Sequence, residues 1–231
     1  MAKVVPKPDY IFDRVFEWEA LAEFATDDRL GATLGMVSGR RRQGKTLLLE
    51  SMCEELGGFY FTVPEDMPTS EHLRRLAEAL GAFTGGLPPR LDSWDEAIEA
   101  LFDLGTAGQP VLVVLDEFPY MARSAAGLPS IIQHALSPRG MARTKSRARL
   151  ILCGSSLSFM GQLVSWSARC SAGHGSALWC ERSTSGRPRG SGESRTTCNW
   201  RRRCSRWWAG LPLTSSTRPA CPRRSPRWMP G

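Results

Sequence analysis

The chain has 231 residues, 42% of them hydrophobic, which is enough to bury a substantial core. Its net charge of +7 is unevenly divided, because residues 165–231 hold 13 arginines against 2 acidic residues, whereas the preceding part is net acidic. The longest apolar run, Val111 to Leu115, is far too short to cross a bilayer, and no apolar signal region opens the chain. These features argue against a membrane protein, and we expect a cytoplasmic one.

The first predicted elements are a helix and a strand. Apolar residues at positions 18, 21 and 24 or 25 lie on one face of a helix over about 17–24. Residues 27–31 end this helix, and the apolar segment at about 33–38 predicts a strand.

The segment after this strand, Gly39 to Thr46, matches the phosphate-binding pattern G-x-x-x-x-G-K-[ST]. Its glycines allow a tight turn whose N–H groups surround a phosphate, Lys45 reaches the β- and γ-phosphates, and the Thr46 hydroxyl binds Mg²⁺. A helix to about Leu56 directs its positive end at the same anion. A basic turn without a ligand is the alternative, but the position between a strand and a helix favours a nucleotide. The expected nucleotide contacts are Gly39, Arg40, Arg41, Arg42, Gln43, Gly44, Lys45, Thr46 and Leu47.

Residues 59–63 are aromatic and β-branched, and they predict a second strand. Helices follow at about 70–82 and 93–104. The second of these begins at Ser93 and has Glu96 three residues later, which is the pattern of a capping box.

A continuous apolar run at 110–115 is typical of a parallel strand covered on both faces. Asp116 and Glu117 follow it, so both carboxylates lie at the carboxyl end of a strand, where α/β nucleotide enzymes bind their ligands. Asp116 would hold Mg²⁺ through its water shell, and Glu117 would orient and deprotonate the attacking water. A solvated acidic turn is the alternative, which the upstream P-loop makes the weaker interpretation.

A helix at about 128–136 precedes four arginines, Arg139, Arg143, Arg147 and Arg149. We expect a solvated basic loop, and an arginine finger that serves a neighbouring subunit is the alternative. The next apolar strand, at about 149–154, ends in Ser155 and Ser156. These hydroxyls can contact the γ-phosphate or the attacking water, or cap a helix over 157–164, and the two roles are compatible.

Four segments together carry a family resemblance: Phe12-Asp13-Arg14, Gly39 to Thr46, Leu115 to Tyr120, and Leu152 to Ser156. Over about residues 10–164 the chain resembles the archaeal-type ATPases, P-loop proteins of the AAA+/STAND lineage. The resemblance implies ATP as the nucleotide, a five-stranded sheet of order 5-1-4-3-2 and a helical lid. In many members it also implies a winged-helix and a nuclease-like region, neither of which is legible in this sequence.

Residues 165–231 have a different composition, with no Val, Ile, Phe, Tyr or Asp but with 12 Ser and 6 of the 8 Trp. We predict a basic tail without stable structure, because so few aliphatic residues cannot offset an ordering cost of roughly 1–2 kcal/mol per residue. A nucleic-acid-binding arm is one alternative, and a zinc site at Cys170, His174 and Cys180 is another.

A frameshift after about Val164 explains this composition better. Codons for Trp, Cys and most Ser begin with T, and a shifted frame that makes this T the middle base encodes apolar residues. The shifted frame gives a strand pattern near Trp179 that the written frame lacks. In the written frame we therefore expect the fifth strand and the lid to be missing, which would leave the P-loop strand at an exposed edge.

The sequence thus predicts an α/β fold, a P-loop NTPase parallel sheet with helices on both faces, over residues 1–164, and a disordered, out-of-frame tail over 165–231. Lys45 and Glu117 are the predicted catalytic residues, and Thr46 and Asp116 are the predicted ligands of Mg²⁺. The predicted function is Mg²⁺-dependent ATP hydrolysis. A nucleotide-gated switch with little turnover and a nucleic-acid-binding protein acting through the tail are the alternatives. ATP is the expected partner, a homo-oligomer is compatible with this fold, and DNA binding has support from the tail alone.

Overall fold

The computed structural model describes residues 4–156, 159–160, 163 and 175–179. In chain order, the elements are α1 (Val15–Ala25), β1 (Thr33–Ser38), α2 (Lys45–Leu56), β2 (Phe59–Thr62), α3 (Thr69–Thr84), α4 (Trp94–Asp103), β3 (Val111–Asp116), α5 (Phe118–Ser124), α6 (Leu128–Ala135), α7 (Met141–Lys145), β4 (Ala148–Gly154) and β5 (Gly175–Trp179).

The five strands form one parallel sheet of order β2-β3-β4-β1-β5. This confirms the order 5-1-4-3-2 that the family resemblance implies. In the registers, Ser38 of β1 lies opposite Gly154 of β4, and Thr62 of β2 lies opposite Asp116 of β3. The carboxyl ends of these strands therefore meet at one edge of the sheet.

Helices cover both faces of the sheet. In β3, Val113 and Leu115 belong to a buried cluster with α3 to α6, whereas Leu112 and Val114 belong to a second cluster with α1 and α2. Successive side chains of a strand point to opposite faces, so a strand covered on both faces needs apolar residues at every position. The continuous apolar run of β3 is explained by this three-layer arrangement.

The close contact between α1 and β1 depends on a glycine. A Cβ atom at Gly35 would lie 3.0 Å from the Phe24 ring, so a larger residue would force this ring to shift. The absence of a side chain at Gly35 thus leaves room for Phe24 of α1 against the P-loop strand.

The capping box predicted for α4 is confirmed in part. The Ser93 hydroxyl accepts a hydrogen bond from the Glu96 N–H at 3.3 Å. The Glu96 carboxylate accepts from the Asp92 N–H at 2.7 Å instead of from the Ser93 N–H. Both bonds satisfy N–H groups at the start of the helix.

Two short helices, α5 and α7, were not predicted, because five to seven residues show too little periodicity. The helix expected over 157–164 is represented by Phe159, Met160 and Leu163, which are helical, while its other positions lie outside the described residues.

The expectation that the written frame lacks a fifth strand is wrong. Residues Gly175–Trp179 form β5 and pair in parallel with β1, from Leu34↔Gly175 to Ser38↔Trp179. Because strand pairing is made by backbone N–H and C=O groups, it does not require the apolar pattern that the prediction sought. β1 is consequently flanked on both sides and is not an exposed edge. The domain boundary at 164, the lid and the frameshift lie outside the described residues and stay predictions.

The expectation of a solvated loop is wrong for Arg149. This side chain lies in β4 and has no exposed surface. Its guanidinium donates to the carbonyl oxygens of Asp27, Arg29 and Gly31 and to the Thr33 hydroxyl. Arg149 therefore holds the loop between α1 and β1 against the amino ends of the strands. A side chain buried in this way does not serve as an arginine finger. Of the others, Arg143 is in α7, and Arg139 is exposed and stays a candidate finger.

Candidate functional site

The P-loop joins the carboxyl end of β1 to the first turn of α2. Gly44 adopts the left-handed conformation, with φ of 75°, and Arg42 does so with φ of 62°. The glycine takes this conformation without steric cost, and α2 then begins at Lys45. A helix leaves its first N–H groups without partners inside the helix, so this turn presents donors to an anion at its positive end.

Lys45 is only 7% exposed, and its side chain folds back across the loop. Its ammonium donates to the Gly39 carbonyl at 3.1 Å and to the Arg40 carbonyl at 3.0 Å. An ammonium carries three N–H groups, so one donor remains for an anion in the loop. The predicted phosphate-binding lysine is therefore held against the first residues of the loop.

Asp116 is 2% exposed and lies beside the first turn of α2. Its Oδ2 accepts hydrogen bonds from the Thr46 hydroxyl and the Tyr60 hydroxyl, both at 2.8 Å, and its Oδ1 accepts from the Glu117 N–H at 2.8 Å. The structure thus brings together the two predicted metal ligands, Thr46 and Asp116, which are 70 positions apart in sequence.

Glu117 is placed at the same edge by an unusual backbone. It adopts φ of 50° and ψ of 37° between the end of β3 and the start of α5. Its buried Oε2 has no hydrogen-bond partner among the described residues. Burial raises the pKa of Glu117, the Asp116 charge adds to the rise, and the Lys45 charge opposes it. A buried carboxylate oxygen with unused acceptor capacity is what a residue that contacts a water or substrate requires.

The remaining P-loop residues occupy different surroundings. Arg40 and Arg42 are exposed, and Arg41 donates to the Tyr120 hydroxyl and lies 4.0 Å from the Glu65 carboxylate. Leu47 is 49% exposed on the first turn of α2.

The back of the loop is supported by Arg14, whose guanidinium donates to the Gln43 carbonyl at 3.1 Å and pairs with Glu17. The buried Oε1 of Gln43 has no partner among the described residues. This contact links the Phe12-Asp13-Arg14 segment of the family resemblance to the P-loop.

Ser155 and Ser156 follow β4 next to the start of the P-loop. Because Ser38 lies opposite Gly154, Ser155 continues from β4 where Gly39 continues from β1. The Ser156 carbonyl accepts from the Met160 N–H at 2.9 Å, which supports a position at the start of a helix. Their predicted contact with phosphate or water stays a prediction.

Two residues of this site were not predicted. Tyr60 reaches Asp116 from β2, and Cys153 of β4 lies close enough that the Asp116 charge adds to the effect of burial, which raises the pKa of the Cys153 thiol well above its ordinary value. The alternation in Phe59-Tyr60-Phe61 could have indicated Tyr60. The two phenylalanines point to one face of the sheet, so Tyr60 points to the other face, on which α2 packs.

The donor set fits Mg²⁺. It consists of one hydroxyl oxygen and one carboxylate, and Mg²⁺ typically takes one or two protein oxygens together with waters and substrate phosphates. A cluster of three or more His, Cys, Asp or Glu side chains suited to a metal is not found within the described part of the chain. The alternative zinc site at Cys170, His174 and Cys180 lies outside that part.

The fold and this edge of the sheet define the class: an α/β protein with a parallel sheet flanked by helices and a P-loop at its carboxyl edge. Among solved structures, Cdc6p from Pyrobaculum aerophilum matches 77% of this chain and 48% of its own, with 17% identity and a TM-score of 0.51. The ORC2 protein from Aeropyrum pernix, solved as ADPNP-ADP complexes, matches 77% and 49%, with 20% identity and a TM-score of 0.42. The fold of this chain therefore resembles the fold of Cdc6p.

This chain spans about half the length of both solved proteins. No protein-family model and no curated protein matches it. Across the described residues, no helix combines the length and apolar character needed to cross a membrane.

Proposed function

We propose that this protein binds ATP with Mg²⁺ at its P-loop and hydrolyses it, as a member of the archaeal-type ATPases of the AAA+/STAND lineage. The observation that carries the proposal is the 2.8 Å hydrogen bond between Thr46 and Asp116. A chance glycine-rich turn would have no reason to lie against a buried carboxylate from another strand. The function needs these two groups together, because they share one metal ion.

Each residue then has a distinct task. Lys45 and the N–H groups at the start of α2 bind the β- and γ-phosphates, while Thr46 and Asp116 hold the metal. Bound Mg²⁺ neutralises charge on the phosphates during transfer. Glu117 accepts a proton from the attacking water and orients it toward the γ-phosphorus. The raised pKa of Glu117 supports this role, because a base works best when its pKa approaches the working pH.

The binding step is tested by Lys45→Ala, measured with a fluorescent ATP analogue. We expect binding to be lost, because the phosphates lose their close ammonium partner. Lys145→Ala is the matched control, since Lys145 is exposed at the end of α7, and it should bind like the wild type. Equal binding by Lys45→Ala and the wild type would contradict the assignment.

Turnover separates an ATPase from a nucleotide-gated switch. Steady-state phosphate release by the wild type should exceed that of Glu117→Gln, in which the base is removed and the P-loop is intact. If the two release phosphate equally slowly while both bind ATP, the protein is a switch.

A further inference from the structure

Tyr60 is joined to the metal-binding carboxylate across two strands. Its hydroxyl donates to Asp116 Oδ2 at 2.8 Å. In the register of the sheet, the residue opposite Asp116 is Thr62, so Tyr60 lies two positions earlier on the same face of β2. A side chain as long as tyrosine is needed to reach forward from there to the carboxyl edge.

The Tyr60 ring is held in place by packing. It lies against the apolar cluster formed by α1, α2 and one face of the sheet, and it is half-buried. A tyrosine hydroxyl ordinarily keeps its proton up to about pH 10, so at neutral pH it acts as a donor toward Asp116.

The two donors on Asp116 Oδ2 differ in what they do when a metal is bound. Thr46 would also ligate the metal through its hydroxyl oxygen, so its hydrogen bond to Asp116 would change on metal binding. The Tyr60 hydroxyl belongs to β2, outside the P-loop, and it is not a predicted metal ligand. Its hydrogen bond can therefore keep the carboxylate oriented in the presence and in the absence of the metal.

We propose that Tyr60 is a positioning residue that orients Asp116 for the metal and thereby sets how much Mg²⁺ the nucleotide site requires. This inference rests on the proposed function, since it assumes that Asp116 faces a nucleotide-bound Mg²⁺. A residue that hydrogen-bonds a metal ligand typically changes metal affinity or activity by 10- to 100-fold when it is removed. Asp116 is expected to hold Mg²⁺ through its water shell, so we expect an effect at the lower end of that range.

The test is Tyr60→Phe, which keeps the ring and removes only the hydroxyl. Binding of the fluorescent ATP analogue is measured in EDTA and then titrated with Mg²⁺. We expect the affinity in EDTA to stay within about twofold of the wild type, and the half-saturating Mg²⁺ concentration to rise about tenfold. Tyr10→Phe is the matched control, because its hydroxyl donates to Ser51 of α2 at 3.0 Å and makes no contact with the site.

A purely structural role for Tyr60 predicts a different result. Reversible partial unfolding would weaken binding of the analogue in EDTA as well, because only folded molecules bind it, whereas loss of the Asp116 orientation should change the Mg²⁺ titration alone. An unchanged Mg²⁺ requirement in Tyr60→Phe would therefore overturn the proposal even if the variant were less stable.

A double-mutant cycle with Asp116→Asn tests the route of the effect. If Tyr60 acts through Asp116, Tyr60→Phe should cause no further change in Mg²⁺ dependence once Asp116 is replaced. Independent, additive effects would overturn the proposal. Lys45→Ala separates this failure from failure of the proposed function, because it removes binding in EDTA as well, where Tyr60 has no part.

Discussion

The two edges of the sheet both bury charged side chains, but they use them differently. At the amino edge, Arg149 has no exposed surface, and its guanidinium donates to three backbone carbonyls and one hydroxyl. At the carboxyl edge, Glu117 has a buried oxygen without a partner in the described structure, and the Lys45 ammonium uses two of its three N–H groups in hydrogen bonds to described residues. A buried charge whose hydrogen bonds are complete holds a fold together, whereas one with capacity left over is available to a ligand.

The largest expected effect is on turnover at the carboxyl edge. Glu117→Gln removes the base and should lower the rate of phosphate release by about 10²- to 10⁴-fold, while the affinity for the ATP analogue stays close to that of the wild type. Glu99→Gln, on the exposed side of α4, is the control and should leave both values unchanged. A Glu117→Gln protein that also failed to bind nucleotide would mean that this carboxylate has a structural role like that of Arg149.

The opposite result is expected at the amino edge. Arg149→Met leaves the buried Gly31 carbonyl without this donor, and an unsatisfied buried group costs about 1–3 kcal/mol. The free energy of unfolding, measured by urea denaturation, should fall by about that amount, because the contacts to Asp27 and Arg29 are only partly buried. Arg139→Met is the comparison, because Arg139 is exposed, and its stability should change by less than about 0.5 kcal/mol. Similar stabilities of the two variants would refute the anchoring role.

His72 of α3 is a third buried ionisable side chain, and only one of its two ring nitrogens has a partner among the described residues. It is fully buried, its Nδ1 lies 3.0 Å from the Ser124 hydroxyl, and its Nε2 has no partner within the described residues. Burial lowers the pKa of His72, with the Arg75 charge adding to the effect. The folded state therefore binds fewer protons than the unfolded state, whose pKa is about 6.5.

Above about pH 6.5, His72 is neutral in both states and the free energy of unfolding has its full value. This free energy decreases as the pH falls from 6.5 toward the lowered pKa of the folded state. Urea midpoints measured between pH 8 and pH 5 should fall toward acid in the wild type and fall less in His72→Phe. Parallel pH profiles would show that His72 takes up its proton without disturbing the fold.

The smallest expected effect concerns a helix end away from both edges. Ser93→Ala removes the hydroxyl that accepts from the Glu96 N–H and should lower the free energy of unfolding by about 1 kcal/mol. Nucleotide affinity should not change, since α4 lies on the face of the sheet opposite α2. The loss in stability is read from thermal or urea denaturation, and a change in affinity without one would contradict this separation.

The sequence alone determined the parts of this protein that local patterns encode. A continuous apolar run predicts a two-sided strand wherever it occurs, and the spacing of Gly39, Gly44 and Lys45 describes a single turn. The carboxylates Asp116 and Glu117 could be placed at the site because they follow such a strand directly. The order of the strands came from the family resemblance and was confirmed.

Tertiary structure decided what depends on partners distant in sequence. Arg149 looked like a loop arginine until the carbonyls of residues 27–31 were brought to it across two neighbouring strands. β5 pairs with backbone groups of β1, and a pattern of side chains does not show which backbone groups will pair. Tyr60 reached Asp116 only through the register of β2 against β3. In each case the decisive hydrogen bond joins groups more than 50 positions apart, and its geometry exists only after the sheet has assembled.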